Sequence, residues 1–127
     1  MTSTFSFRFD DRYSGLFRLG GITPARARLT VDDEHLSARF GIFTLHTPLS
    51  NVAEASVTGP HQPLRALGVR TSLTDRGLTF GTSVERMTCI RFHTPVRIKP
   101  FDIMAHPGLS VSVDHPEQLA ALLNGHR

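Results

Sequence analysis

From Thr4 to Asp10 the chain alternates without a fault, with Phe5, Phe7 and Phe9 on one side and Ser6, Arg8 and Asp10 on the other. A period of two places successive side chains on opposite faces of an extended strand, whereas a helix needs a period of about 3.6. The rhythm returns several times. Ala27, Leu29 and Val31 read as one face against Arg26, Arg28 and Thr30. Leu36, Ala38, Phe40 and Ile42 continue an inward face, and later Thr88, Ile90 and Phe92 stand against Met87, Cys89, Arg91 and His93. Val96 and Ile98 then point in while Arg97 and Lys99 point out. A chain patterned in this way is built from half-buried strands.

What lies between the alternating runs sets the connections. Asp32-Asp33-Glu34 is a short acidic turn between two strands, which makes a hairpin. Gly41 interrupts an apolar run, GIFTL, and predicts a bulge or bend inside a strand. On that reading Phe43 and Leu45 occupy the exposed face and form a candidate interface for a homodimer. Further strands are expected at 13–19, 51–57, 69–73, 78–80 and 109–113, a loop or helical turn at 61–67, and a loop at 100–108. One helix closes the chain at about 114–124. Asp114 is its expected N-cap, with Pro116 in the first turn and Glu117 completing a capping box. Leu119, Leu122 and Leu123 form its apolar stripe, and Asn124-Gly125 ends it.

Many short strands followed by a single helix predict a mainly β domain: an antiparallel barrel or sandwich with one C-terminal helix. The 127 residues suffice for one such domain, and 39% hydrophobic with 20% charged residues is an ordinary globular balance. No apolar run approaches the roughly 20 residues that span a bilayer, and MTSTFSFRFD lacks the basic start of a signal peptide. A cytoplasmic protein is expected. Cys89 is the only cysteine, so no internal disulfide can form. A formal charge of +3, with nine Phe and no Trp, argues against a nucleic-acid partner, which calls for clustered cations and exposed aromatics.

The arrangement of meandering strands and a terminal amphipathic helix resembles the pleckstrin-homology-like (PH-like) barrel. TPLSNV at 47–52, TGP at 58–60, DRGLTFGT at 75–82, CIRFHTPV at 89–96 and HPGLSVSV at 106–113 resemble a family of small uncharacterised actinobacterial proteins of about this length. The resemblance implies a single domain over residues 1–127 and transfers no catalytic residues.

Four groups of side chains invite a chemical reading. Cys89, Arg91 and His93 share a strand face, where a cation could activate a thiol and a histidine could serve as base. Spacing of two and four residues along a strand is loose for catalysis, and the plain alternative is an outward polar face. Arg8, Arg26 and Arg28 share an outer surface that could form an anion-binding patch, although Asp10, Asp11, Asp32, Asp33 and Glu34 lie close in sequence. The seven histidines match no metal-ligand spacing, and the glycines at 20, 21 and 77 are followed by strand instead of the helix a phosphate loop requires. Neither a metal nor a cofactor is expected. The leading expectation is a non-catalytic binding or scaffold module for a protein segment or an anionic lipid headgroup. The alternatives are a carrier of a small apolar ligand in the barrel interior and a thiol-dependent enzyme or redox sensor using Cys89.

Overall fold

In the computed structural model, which describes residues 2–9, 23–59, 68–71, 77–81, 86–100 and 105–125, the chain is mainly β with one C-terminal helix. The strands are β1 (Ser3–Ser6), β2 (Ala27–Val31), β3 (His35–Phe40), β4 (Phe43–Pro48), β5 (Val52–Thr58), β6 (Gly68–Thr71), β7 (Leu78–Gly81), β8 (Met87–Lys99) and β9 (Ala105–Val111). The helix, α1, spans Pro116–Asn124. The strands expected at 13–19 and the segment 61–67 lie outside the described residues.

The nine strands of the described residues join in one sheet, ordered β1-β2-β3-β4-β8-β9-β7-β6, with β5 paired to β8 beside this path. β8 is long enough to serve two partners, Ile90 opposite Ala55 of β5 and Ile98 opposite Leu45 of β4. The sheet curls until β1 reaches the end of β9. There Phe7 bridges Val113, the Arg8 N–H donates to the Ser112 carbonyl at 2.7 Å, and the Asp114 N–H donates to the Ser6 carbonyl at 2.8 Å. The pairing is not wholly antiparallel as the alternation suggested. β7 runs parallel to β9, with Leu78 opposite Leu109 and Phe80 opposite Val111, because β8 intervenes in sequence and reverses the chain between them.

The inward faces supply the core. Leu29, Leu36, Phe40, Phe80, Ile90 and Leu109 are fully buried, and Leu119 and Leu123 of α1 close over them. Phe40 stacks on Phe80 at 5.0 Å and meets Phe7 at 5.3 Å, so three aromatic rings fill the space between the strands. Such pairs add about 0.5–1.5 kcal/mol beyond their burial.

Gly41 does not bulge a strand. It takes φ 64°, open to glycine without strain, and turns the chain back at once so that Phe43 pairs with Phe40. This hairpin resets the parity of β4. Ile42, expected inside, is 62% exposed, while Leu45 is 1% exposed and Phe43 packs against the core. The proposed Phe43–Leu45 interface is therefore corrected: these side chains belong to the interior because the turn has two residues and not one bulged position.

Two smaller expectations also shift. Asp114 does not cap the helix; its backbone is tied to Ser6, and His115 occupies the N-cap without a side-chain hydrogen bond. Pro116 opens the first turn, where its missing N–H costs nothing, and Glu117 pairs with Arg86. Residues 105–108, expected as loop, begin β9, with His106 buried and opposite Val96.

Candidate functional site

Counting outward from the acidic turn, Val31 faces Leu36, Leu29 faces Ala38 and Arg28 faces Arg39. Both arginines are flanked by buried neighbours in sequence, so both side chains leave on the outer face and both are exposed. Directly opposed residues hold their Cβ atoms about 5 Å apart, and like charges at that separation destabilise a sheet. Around them the outer face carries hydroxyls, with Thr30 beside Ser37 and Thr44 beside Arg39. Arg28, Arg39, Thr30, Ser37, Thr44 and His46 line a shallow recess of about 350 Å³.

The row continues past the hairpin. Thr44 pairs with Lys99 of β8, so Arg28, Arg39, Thr44 and Lys99 lie in a line across four strands, roughly 14 Å from end to end. Arg26, exposed, ends the 3-10 turn Pro24–Arg26 just before β2, and its carbonyl accepts the Gly41 N–H at 2.9 Å. Arg39 Nε donates to the Gly41 carbonyl at 3.4 Å, which leans the guanidinium toward the hairpin tip. Among the described residues no carboxylate forms an ion pair with Arg26, Arg28, Arg39 or Lys99.

The acids stand at the other end of the same hairpin. Asp32 Oδ1 accepts hydrogen bonds from the Glu34 N–H at 2.8 Å and the His35 N–H at 2.7 Å. These bonds hold the Asp32 carboxyl below its ordinary pKa, because they favour the ionised form. His35 stacks on His46 at 4.8 Å, and Ser37 Oγ shares a 2.6 Å hydrogen bond with His46 Nδ1. Asp32 lies four residues from Arg28, roughly 13 Å along the strand and beyond the Debye length of about 8 Å at physiological salt. Among the described residues neither Arg28 nor Arg39 forms an ion pair with a carboxylate of this turn.

Comparison with family models, with curated proteins and with solved structures returns no match for this chain. Its site must be read from its own geometry.

Of the arginines singled out in the sequence, Arg28 sits on this face, and Arg26 stands exposed in the turn just before β2. Arg8 lies beyond the last β1–β2 pair and lines a separate recess with Arg86, Asp114 and Glu117, a mixed-charge setting. Sequence reasoning missed Arg39 and Lys99. Hairpin register alone could have found Arg39; Lys99 needs the β4–β8 pairing, for which no local signal exists.

The second candidate group holds together less well. Cys89, Arg91 and His93 do share the outer face of β8, with Cys89 half-buried and the other two exposed. Arg91 is engaged by Glu54 across the β5–β8 pair at 2.5 Å. His93 is four residues beyond Cys89, roughly 13 Å along a strand, too far to take its proton. Cys89 opens with Ser110 and Thr79 onto a recess of about 490 Å³. Among the described residues no group of three metal-ligating side chains converges. No helix among them is long and apolar enough to cross a membrane.

Proposed function

We propose that the chain is a non-catalytic binding module whose outer β2–β3–β4 face receives a phosphate-type anion. One observation carries the reading: Arg28 and Arg39 are placed directly opposite each other, exposed, among hydroxyls, with no carboxylate paired to either among the described residues. A like-charge pair weakens a free sheet, and an anion between the two guanidinium groups turns that repulsion into paired, charge-assisted hydrogen bonds. Thr30, Ser37 and Thr44 supply neutral donors beside them.

Two further features favour this reading over its alternatives. Phe7, Phe40 and Phe80 occupy the interior where an apolar cargo would have to lie. Peptide addition at the β5 edge is hindered, because Asn124 already occupies the outward N–H and carbonyl of Ala55. The likeness to a PH-like barrel is part of the same proposal and rests on architecture, one curled sheet and a terminal helix.

The test is titration calorimetry with inositol hexakisphosphate, a soluble and densely charged probe. The native chain is expected to bind it, more weakly as salt rises. An Arg28→Thr/Arg39→Thr variant is expected to bind at least about tenfold more weakly, each lost charge-assisted bond being worth about 1.5–3 kcal/mol. Its melting temperature without ligand should be unchanged or higher. Equal binding by both proteins, or none by the native chain, would remove the proposal.

A further inference from the structure

Among the described residues, Ile42 is the large hydrophobic that the fold leaves in solvent, 62% exposed at the tip of the β3–β4 hairpin. A single exposed aliphatic side chain usually carries no message. Its position does here. Two-residue turns are ordinarily filled by Gly, Asn, Asp or Ser, which satisfy turn geometry and water together. Gly41 already supplies the positive φ, so the turn gains nothing from a β-branched apolar partner at its apex.

The surroundings of Ile42 are cationic. Arg26 is hydrogen-bonded through its backbone to Gly41, and Arg39 reaches the Gly41 carbonyl. Arg28 stands opposite Arg39, and Lys99 is opposite Thr44, two residues past the tip. Asp32, Asp33 and Glu34 gather at the opposite end of the same strands, across the six residues of β3 and roughly 20 Å away. The hairpin thus has a positive, apolar-tipped end and a negative end.

We propose that this end of the molecule docks on an anionic lipid bilayer, with Ile42 entering the interface and Arg26, Arg28, Arg39 and Lys99 contacting headgroups. The inference rests on the anion-binding reading above and assigns its ligand to a surface instead of a free solute. Charge separation along the hairpin orients the molecule: an anionic leaflet attracts the tip and repels the turn at residues 32–34. Each cation held near such a leaflet is worth about fivefold in affinity, and the attraction fades within a Debye length. One inserted isoleucine cannot anchor a protein by itself, so the expected association is peripheral, reversible and sensitive to salt.

The chain has no tryptophan, so Ile42→Trp places a lone indole reporter at the tip. Mixed with phosphatidylcholine vesicles containing about a third phosphatidylserine, this variant is expected to shift its emission to the blue. Brominated acyl chains should quench it, pure phosphatidylcholine vesicles should leave it unchanged, and added salt should reverse the shift. Tryptophan itself favours interfaces, so a second measurement uses the native side chain. In cosedimentation with the same mixed vesicles, Ile42→Asp is expected to bind at least about tenfold more weakly than the native chain, by loss of the anchor and addition of a repelled charge. It should still bind inositol hexakisphosphate, since Ile42 is outside the recess.

The failures separate cleanly. If inositol hexakisphosphate binds but the mixed vesicles neither shift the indole nor sediment the chain, the bilayer inference falls and the anion site stands. If neither probe binds, both readings fall. Vesicle binding that survives Arg28→Thr/Arg39→Thr would overturn the role given to the cationic collar.

Discussion

Asp32 shows how much one side chain can settle locally. Its carboxylate closes the β2–β3 turn by accepting the Glu34 and His35 amides, and those bonds depress its pKa. A group with a lowered folded-state pKa stabilises the native state above its unfolded value, about 3.9, and loses that contribution as pH falls through the folded value. Asp32→Asn should therefore lower the melting temperature at pH 6 and flatten its decline as pH falls below about 4, where the native turn loses its charge. Thermal melts across that range check both slopes. That Asp32 belongs to a turn was plain in the sequence; which amides it receives follows from the turn having only two residues after it before β3 begins.

Two asparagines act at the scale of the element, each by presenting a side-chain amide to a strand. Asn51 donates to the Thr94 carbonyl at 2.9 Å and accepts the Thr94 N–H at 2.8 Å, holding β8 where its register with β9 shifts. Asn124 does the same for Ala55, at 2.9 Å in both directions, and so joins the end of α1 to the edge of β5. An uncovered edge is a template for pairing with another chain. Asn124→Ala is expected to cost about 1–3 kcal/mol in urea unfolding and to produce concentration-dependent light scattering. Asn124→Asp should do no better, because one carboxylate oxygen then faces the Ala55 carbonyl. The sequence marks Asn124 as a helix end, and that is where it lies; its service to a strand 69 residues away has no local trace.

For the molecule as a whole, stability and surface chemistry are carried by different residues of one hairpin. Phe40 lies between Phe7 and Phe80 with no exposed surface, whereas Ile42, two positions on, is mostly in water. Phe40→Ala should cost about 3–5 kcal/mol in denaturant unfolding, through lost burial and the cavity left behind. Ile42→Ser should change stability by less than about 0.5 kcal/mol. A polar substitution at the tip is therefore tolerated by the fold, so any loss of vesicle binding it causes reports on docking and not on folding.

The alternation of apolar and polar residues was enough to assign β2, β3 and the first half of β8 to strands and to identify the buried faces of β2 and β3, because period-two patterning is a local property; in β8 it set Met87 with the outward residues, whereas the fold buries it. It also located the acidic turn and the terminal helix. Wherever an outcome hung on one residue of parity or on distant pairing, the sequence was silent. Gly41 could bulge a strand or reverse it, and only the pairing of Phe43 with Phe40 sends Leu45 inward and Ile42 out. Lys99 joins Arg28 and Arg39 only because β8 runs beside β4, bringing together residues far apart in the chain. Strand polarity was written along the sequence, while the cationic face arose from long-range register, whose free energy depends on the packing of the whole core.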